Sequence, residues 1–419
     1  MKRYEEYKDT VIPWLNCIPA HWGEMRAKYL FYKENRLPLE SDEVVTCFRD
    51  GVVTLRKNRR TTGFTESLKE IGYQGIKKGD LVIHQMDAFA GAVGVSDSDG
   101  KGTPVYSVCT PKDGAVLTKY YAKVIRHMGL NGFIQSLYRG IRERSSDFRF
   151  ETFAKQILPV PPLAEQEKIV SFLESKTLSI DAYVAERERE LQLLNELKES
   201  EIANVITRGL NPDVKMKDSR NSLLGSIPAH WGEKKIKYCF TERSEKNHPD
   251  EPVLCATQSQ GVIPQSMYQN RVVVVNKGFE GLKFVKVGDF VISLRSFEGG
   301  IEYAYYQGII SAAYTILTPN EVAFADYFKL LFKSQPFIQV LQTCVTGIRE
   351  GQNINYQMLG RKFIPIPPIE EQKAIVAYIE DKCNKISSLI GELEAEIEYL
   401  KEYKQKLIAD CVTGQINVQ

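Results

Sequence analysis

The chain carries two copies of the same ordered landmarks, separated by about 206 to 209 residues. Ile-Pro-Ala-His-Trp-Gly-Glu occupies residues 18–24 and recurs at 227–233. Pro-Pro-Leu-x-Glu-Gln at 161–166 recurs as Pro-Pro-Ile-x-Glu-Gln at 367–372. A solenoid would need at least three copies of a much shorter repeat, about 20 to 50 residues long. The pattern therefore predicts a duplicated chain with two equivalent domains.

Each copy ends in a long segment that lacks helix-breaking residues. Residues 163–207 contain no Pro or Gly, and residues 369–413 contain Gly391 alone. Both segments follow Pro-Pro, carry Glu in the first turn and stop at a glycine, Gly209 or Gly414. These are the expected signals of a helix start and a helix end. We predict two helices, each about 65 Å long at a rise of ~1.5 Å per residue.

Apolar residues in the second helix recur at alternating spacings of four and three, which is the pattern of a coiled coil. The stripe of the first helix is poorer, because Arg187 and Glu201 occupy core positions, whereas Lys198 and Lys404 are matched. We predict that the two helices pair with each other in an antiparallel coiled coil. The alternative is that each helix packs only on its own domain. The predicted seam consists of Ile180, Val184, Leu191 and Leu194, and of Ile386, Ile390, Leu393, Ile397, Leu400 and Leu407.

The fold class follows as α+β: two mixed α/β domains joined by two long helices, with a pseudo-twofold internal repeat. The predicted boundaries are 1–158 and 210–364 for the domains, and 159–209 and 365–419 for the helical spacers. Short runs rich in β-branched and aromatic residues predict strands, and one longer run predicts a helix. The strands are predicted at 44–48, 51–55, 81–84, 106–109, 271–275, 289–293 and 313–317, and the helix at 324–343.

Charge alternates along the 419 residues although the total is nearly balanced. Residues 1–158 carry 25 Lys and Arg against 19 Asp and Glu, and residues 209–364 carry 18 against 14. The two helical segments are acidic, each with 6 basic residues against 10 acidic ones. Two basic domains joined by acidic spacers fit two separate contacts with nucleic acid.

Several classes of protein are disfavoured by the composition. No run approaches the ~18 apolar residues of a membrane span, and the N-terminus lacks the apolar core of a signal peptide. We therefore expect a cytoplasmic protein without a membrane partner. The eight cysteines have no paired spacing, which predicts reduced thiols and no metal site.

Candidate DNA-binding residues come from polar loops of the two domains. The densest basic stretch is 56–63, and Arg reads guanine edges and phosphates. The corresponding region of the second domain is taken to be 257–261 with 265–271, where amides replace arginines, so the two domains should read different sequences. The alternative for either loop is a solvated turn. The full candidate set is Arg56, Lys57, Arg59, Arg60, Arg142, Gln258, Gln260, Gln265, Arg295, Arg349 and Gln352.

Other repeated residues have structural alternatives. Arg142 and Arg349 lie in matched Gly-Ile-Arg-Glu turns, which suits either a phosphate contact or an internal salt bridge. His21 and His230 lie beside Trp in the repeated corner, where packing is the favoured role over catalysis. The chain contains no phosphate-binding loop, no dinucleotide fingerprint and no Asn/Asp-Pro-Pro-aromatic motif of an amino-methyltransferase. We find no active site and predict a non-catalytic protein.

Taken together, these landmarks resemble the specificity subunits of type I restriction-modification systems, over essentially the whole chain. The resemblance rests on Ile-Pro-x-His-Trp-Gly at the entry of each domain, Pro-x-Pro-Pro-Leu/Ile-x-Glu-Gln at its exit, and the two helices. It implies that each domain reads one half of a bipartite, asymmetric site in double-stranded DNA and that the helices set the gap.

The resemblance also implies partners. Two methyltransferase subunits and the ATP-driven restriction subunits would assemble around the chain. S-adenosylmethionine, ATP and Mg²⁺ would belong to those partners, so this chain itself would hold no cofactor. The competing hypotheses are a fused enzyme with a degenerate site, which the absent motifs disfavour, and a coiled-coil adaptor that does not bind DNA. Binding that weakens steeply with salt would separate a DNA reader from an adaptor.

Overall fold

The chain forms two compact units in the computed structural model. Unit 1 comprises Met1–Arg187 and Ala395–Gln419, and unit 2 comprises Glu188–Glu394. Both long helices are therefore shared between the units, whereas the predicted domain boundaries assign each helix whole to a spacer; those boundaries stay a prediction. The structure describes residues 2–59, 71–137, 147–268, 278–347 and 353–418.

Unit 1 is built from short strands and a few helices that precede the first long helix. Turns of 3-10 helix lie at Arg56–Asn58 and Ala88–Ala90. In chain order the other elements are β1 (Tyr7–Asp9), β2 (Cys17–Pro19), β3 (Gly23–Arg26), α1 (Ala27–Leu30), β4 (Phe31–Lys33), β5 (Val45–Cys47), β6 (Val53–Leu55), β7 (Gln74–Ile76), β8 (Leu81–His84), β9 (Val93–Val95), β10 (Gly100–Gly102), β11 (Tyr106–Pro111), α2 (Thr118–Leu130), α3 (Phe133–Ser136), α4 (Phe150–Phe153), β12 (Ile157–Val160) and α5 (Leu163–Arg208).

Unit 2 repeats this order of elements. Its 3-10 turns lie at Ser222–Leu224, Ile236–Tyr238, Gln265–Met267 and Phe279–Gly281. The other elements are β13 (Met216–Asp218), β14 (Ser226–Pro228), β15 (Gly232–Lys235), β16 (Phe240–Arg243), β17 (Leu254–Thr257), β18 (Gly261–Pro264), β19 (Lys283–Val285), β20 (Phe290–Ile292), α6 (Ser296–Gly299), β21 (Glu302–Tyr303), β22 (Gly308–Ile310), β23 (Thr315–Pro319), α7 (Ala325–Lys333), α8 (Gln335–Gln342), β24 (Val345–Thr346), β25 (Asn353–Ile354), α9 (Tyr356–Leu359), β26 (Phe363–Ile366) and α10 (Ile369–Val412).

The two units share one sheet topology. A four-stranded antiparallel sheet has the order β4-β11-β8-β9 in unit 1 and β16-β23-β20-β21 in unit 2. The hairpin β5–β6 corresponds to β17–β18, and the pair β3–β12 corresponds to β15–β26. The duplication read from the sequence thus extends to the register of the strands.

The predicted strands that lie within the described residues are all present. β5, β6 and β20 are shorter than predicted, β8 has the predicted bounds, β11 extends two residues further and β23 is shifted by two residues. The segment 271–275 lies outside the described residues. The predicted helix at 324–343 is wrong in one respect, because it is two helices, α7 and α8, separated at Ser334. Ser334 has an extended backbone, φ −70° and ψ 145°, and Pro336 follows in the first turn of α8. A helical conformation is disfavoured close before a proline, which explains the break.

The long helices match their predicted bounds within one residue, at Leu163–Arg208 and Ile369–Val412. In α5 the residues between 181 and 200 that are not exposed are Val184, Arg187, Leu191, Leu194 and Lys198, the predicted seam positions. In α10 the seam positions from Ile386 to Cys411 are likewise shielded. None of the helices in the described ranges is long and apolar enough to cross a membrane.

The end of a long helix completes the core of each unit. Cys411 and Val412 of α10 belong to the buried cluster of unit 1, and Val205 and Ile206 of α5 belong to that of unit 2. The Tyr120 hydroxyl donates to the Val412 carbonyl at 2.8 Å. In unit 2 the Tyr327 hydroxyl donates to the Ile206 carbonyl, also at 2.8 Å. The two tyrosines therefore receive helix C-termini in the same way, which satisfies carbonyls that have no partner inside a helix.

The glycines that follow these helices lie against the repeated Ile-Pro-Ala-His-Trp corner. Gly414 has φ +73°, and a Cβ there would lie 2.4 Å from Cδ of Pro19 and 3.0 Å from Trp22. Gly209 has φ +76°, and a Cβ would lie 3.2 Å from Trp231. Positive φ and close packing both require glycine here. The C-terminal glycines are thus packing residues as well as helix stops.

Candidate functional site

A carboxylate at the start of α5 ties the helix to the domain of unit 1. Glu165 is 3% exposed and accepts hydrogen bonds from the Tyr4 hydroxyl at 2.5 Å and the Trp22 indole at 2.8 Å. Nε2 of His21 also lies 2.9 Å from this carboxylate. Burial raises the pKa of Glu165, but these three hydrogen bonds outweigh it and hold the pKa below its ordinary value. His21 therefore partners a structural carboxylate, which agrees with its predicted packing role.

The glutamine that follows this carboxylate fixes the preceding chain in both units. The Gln166 amide donates to the carbonyls of Ala115 and Pro161, each at 2.9 Å, and accepts from the Leu117 amide at 3.0 Å. Gln372 makes the equivalent three bonds to Val322, Pro367 and Phe324. The repeated Glu-Gln pair is thus a structural clasp between each long helix and the domain before it.

The clasp of unit 2 is weaker than that of unit 1. Nε2 of His230 lies 2.8 Å from Glu371, whose side chain is 26% exposed. Among the described residues, the indole nitrogen of Trp231 has no hydrogen-bond partner. The position that matches Tyr4, at the repeat offset of 209, is Asp213, and a carboxylate cannot donate to Glu371. Glu371 therefore carries less of the local stability than Glu165.

The predicted basic loop of unit 1 follows hairpin β5–β6. Arg56 Nε lies 3.4 Å from the Thr46 hydroxyl, and Lys57 pairs with Glu43. The exposed Arg59 pairs with Asp50 at 2.7 Å, and its guanidinium lies 4.6 Å from the centre of the Phe48 ring. The stretch therefore carries two exposed cations, Lys57 and Arg59, of which Arg59 also contacts the hairpin turn 48–52. The predicted site residues Arg60 and Arg142 lie outside the described residues.

The predicted amide-rich residues of unit 2 lie on two neighbouring turns. Gln258 and Gln260 are exposed on the turn between β17 and β18, and Arg295 is exposed just before α6. The Gln258 side chain packs over Gly299, where a Cβ would lie 2.8 Å from it. Gln265 begins the 3-10 turn that follows the hairpin and is half-buried. Arg349 and Gln352 lie outside the described residues.

The structure supports one part of the predicted correspondence between the two domains and corrects the other. Gln265 occupies the place of Arg56, because each begins the 3-10 turn directly after its hairpin. The turn 257–261 instead matches the turn 48–52, which contains Arg49 and Asp50. The predicted pairing of 56–63 with 265–271 therefore holds at its first residue, whereas its pairing with 257–261 is wrong. Polar composition without strand register does not distinguish the two turns, and Arg49 was missed for that reason.

Two cations on helices near these turns were also missed. Arg126 of α2 donates to the carbonyl of Arg49 at 2.5 Å and to that of Gly91. Lys333, the last residue of α7, donates to the carbonyls of Gln258 at 3.1 Å and Gly299 at 2.9 Å. The signal available in the sequence was a basic residue six positions after each matched tyrosine, Tyr120 or Tyr327.

Unit 2 also contains an acid with an unusual titration. Glu302 is 2% exposed and lies 2.6 Å from the Lys333 ammonium. Its Oε2 has no hydrogen-bond partner in the part of the chain that the structure describes. Burial raises the pKa of Glu302 from 4.5 to about 7, and Lys333 offsets only part of that rise.

We expect this acid to make unit 2 less stable as pH rises. A raised pKa means that the folded state binds more protons than the unfolded state between the two pKa values. Stability should therefore fall from about pH 4.5 to about pH 7 and then level, by about 1 to 3 kcal/mol. Urea titrations at several pH values should show this slope in the wild type and not in Glu302→Gln. An identical slope in both proteins would contradict the assignment.

The comparisons with known proteins agree with this architecture. The MjaX type I restriction enzyme specificity subunit of Methanocaldococcus jannaschii is 27% identical over 275 residues, which are 62% of this chain and 60% of that protein. The EcoKI specificity subunit of Escherichia coli is 17% identical over 272 residues, 62% of this chain and 58% of that one. The matches thus span about three fifths of these relatives. A scan against protein-family models gave no match.

Solved structures show the same fold over nearly the full length. A chain from a study of assembly and conformational transition in the type I R-M system has a TM-score of 0.68 and 16% identity, and it covers 95% of this chain and 99% of that one. The HsdS subunit of Thermoanaerobacter tengcongensis has a TM-score of 0.56 and 16% identity, with coverage of 95% and 98%. The resemblance to type I specificity subunits that the motifs indicated is confirmed.

Proposed function

From this confirmed similarity to type I specificity subunits, we propose that the chain is a non-catalytic, sequence-specific DNA-binding subunit of a restriction-modification complex. Each domain would read one half of a bipartite, asymmetric site. The observation that carries the proposal is the contrast within the duplication. The clasps formed by Glu165 and Glu371 are kept in both units, whereas the exposed turns of the two domains differ in residue and charge.

The turns supply different recognition chemistry to the two halves. In unit 1 the turn 48–52 and the following 3-10 turn present Arg49, Lys57 and Arg59. Arg suits guanine edges and phosphates. In unit 2 the exposed side chains of the turn 257–261 include Gln258 and Gln260, and amides suit adenine. Different half-sequences are therefore expected, as an asymmetric site requires.

The long helices would form an antiparallel coiled coil that sets the distance between the half-sites. Contacts inside each unit support this geometry. In unit 1, Asp181 pairs with Lys404 at 2.6 Å, and Tyr183 donates to Glu396 at 3.0 Å. In unit 2, Lys198 contacts Ser387 at 2.8 Å, and Tyr378 contacts Glu201 at 2.8 Å. In both units, residues with higher numbers in α5 contact residues with lower numbers in α10, as antiparallel helices require.

We propose that the helices also dock two methyltransferase subunits, with restriction subunits joining the same complex. S-adenosylmethionine, ATP and Mg²⁺ would be bound by those subunits. Tyr399 and Tyr403 of α10 are exposed and stack with ring centres 6.5 Å apart. The matched positions of α5, Leu193 and Leu197, are exposed as well. Exposed apolar residues one turn apart on both helices are suited to receive partner helices.

Substituting Tyr399→Glu together with Tyr403→Glu should reduce co-purification of the methyltransferase at least tenfold. Two charges would have to be buried in an apolar contact, which costs several kcal/mol, and each ~1.4 kcal/mol is tenfold in affinity. The measurement is pull-down from cells that express both subunits. The control is Gln405→Glu, which adds a charge at an exposed position on another face of the same helix. Equal loss in both variants would argue against this docking face.

Single-molecule mapping of N6-methyladenine tests the DNA-reading function. Cells that express the chain with its methyltransferase partner should show a split motif, and the motif should vanish when the chain is removed. Methylation that does not depend on the chain would reject the proposal and favour the adaptor that does not bind DNA.

Substituting Arg59→Ala with Arg60→Ala should weaken or relax the half-site of the first domain only. Each lost base contact of an arginine costs about 1 to 3 kcal/mol, so methylation at that half should lose about tenfold or more of its discrimination. The same methylation map gives the measurement. Lys77→Ala with Lys78→Ala is the matched control, because it removes two adjacent exposed cations of unit 1. Equal losses at both half-sites would indicate failed folding or assembly instead of lost recognition.

A further inference from the structure

Each domain holds two turns together through one cation on a helix. In unit 1 the Arg126 guanidinium donates to the carbonyl of Arg49, in the turn 48–52, and to that of Gly91, in the 3-10 turn before β9. In unit 2 the Lys333 ammonium donates to the carbonyl of Gln258, in the turn 257–261, and to that of Gly299, at the end of α6. We call this arrangement the cation clamp.

The two clamps occupy equivalent positions although their residue types differ. Arg126 and Lys333 lie six residues after Tyr120 and Tyr327, the tyrosines that receive a helix C-terminus in each unit. The clamped carbonyls of Arg49 and Gln258 match as well, because they lie on equivalent hairpin turns. Those of Gly91 and Gly299 both lie where the short helical turn before β9 or β21 ends. A contact that recurs with Arg in one domain and Lys in the other depends on positive charge and reach, not on one side chain.

The acceptors explain why the clamp tolerates divergent turns. Every residue presents a backbone carbonyl, so the clamp places no demand on the side chains of the turn. The turn 48–52 can therefore carry Arg and Asp while the turn 257–261 carries Gln and Ser, with the same anchoring. A cationic donor also strengthens each hydrogen bond relative to a neutral donor.

We infer that Arg126 and Lys333 are positioning residues, each of which fixes the base-reading turn of its own domain without contacting the DNA. This inference rests on the proposed DNA-reading function. A turn held in its bound conformation loses less conformational freedom when it binds, so the clamp raises both affinity and discrimination at one half-site. Because its acceptors are backbone carbonyls, the clamp can still form when the side chains that read the bases are replaced.

The second clamp has one addition. Glu302 lies 2.6 Å from Lys333, whereas its counterpart in the first domain is Gly94, where a Cβ would lie 2.0 Å from the Gly51 carbonyl. The first domain therefore has no room for a counter-ion at that place. The clamp itself, a cation on two carbonyls, is what the two domains share, and the test addresses the cation.

The test substitutes Arg126 and Lys333 in the full chain, which is expressed with its methyltransferase partner. Lys333→Met and Arg126→Met keep most of the aliphatic stem and remove the charge. Lys333→Arg and Arg126→Lys are the matched conservative variants, since each places in one domain the cation of the other. Amide hydrogen exchange of the turns 257–261 and 48–52 is measured first, and methylation maps then give the discrimination at each half-site.

We expect Lys333→Met to accelerate exchange in the turn 257–261 alone and to lower discrimination at the second half-site about tenfold, a loss that corresponds to ~1.4 kcal/mol. Arg126→Met should do the same for the turn 48–52 and the first half-site. The conservative variants should retain most of both properties. Unchanged exchange in the turns, or equal losses at the two half-sites in a variant whose core exchange is unaltered, would overturn the inference.

The two readouts separate this inference from the function on which it rests. If the wild type gives no split methylation motif, the DNA-reading proposal fails whatever the variants do. The motif can instead be present while removal of the cation accelerates amide hydrogen exchange in the turn and leaves discrimination at the half-site unchanged. In that case the clamp is structural only and the positioning role is rejected. If a Met variant unfolds, Lys333→Arg and Arg126→Lys still test the inference. A positioning cation predicts that these two variants preserve both the slow amide hydrogen exchange of the turn and the discrimination at the half-site.

Discussion

Substituting Glu165→Ala should destabilise unit 1 by about 3 kcal/mol. The change removes the acceptor for the Tyr4 hydroxyl and the Trp22 indole, both of which are buried. A buried donor left without an acceptor costs about 1 to 3 kcal/mol, and the loss of the hydrogen bond with His21 adds to it. Hydrogen exchange followed on peptides from each unit measures the effect, since it reports the two units separately.

Two matched substitutions serve as controls for this result. Glu167→Ala removes an exposed carboxylate from the same turn of α5 and should change stability by less than about 0.5 kcal/mol. Glu371→Ala removes the equivalent carboxylate of unit 2, which contacts His230, and should cost only about 1 kcal/mol. If Glu165→Ala and Glu371→Ala had equal effects, the additional bonds from Tyr4 and Trp22 would carry no stability.

Lengthening both helices by one heptad should widen the gap between the half-sites by about 3 base pairs while both half-sequences stay unchanged. Seven residues extend a helix by ~10.5 Å, and B-DNA rises ~3.4 Å per base pair. The insertion duplicates residues 188–194 after Leu194 and residues 383–389 after Leu389, so that facing segments grow together and the seam spacing is kept. The methylation map of the variant gives the new gap directly.

A two-residue insertion at the same places is the control for the heptad. It rotates the following helix by about 200°, which turns the apolar seam away from its partner. We expect that variant to lose methylation altogether, because the seam no longer forms. A heptad variant that methylates with the original gap would refute the role of the helices as a ruler.

The sequence predicted the long helices well because their signals are local. A Pro-Pro start, an unbroken 45-residue run and a glycine stop gave bounds that hold within one residue. The same local spacing identified the shielded stripe from Ile180 to Val205. The break at Ser334 was missed, although Pro336 signals it, because the apolar pattern continues through both helices.

The candidate site was predicted less well because it depends on strand register. Arg49 was overlooked, and the turn 257–261 was compared with the stretch after Arg56, since polar composition alone does not say which turn joins which strands. Arg126 and Lys333 were missed for a related reason: their acceptors are backbone carbonyls, which leave no trace in residue type.

The sequence by itself determined the duplication, the two long helices with their shielded stripes, and the family resemblance, because these follow from residue order and from spacing within a few turns. Only the tertiary structure decided that Val412 completes the core around Tyr120, 292 positions earlier, and that one cation in each domain holds two turns together. Such contacts arise from the path of the whole chain. Burial and hydrogen bonding stabilise such contacts only when segments distant in sequence pack together, so a local sequence pattern does not specify them.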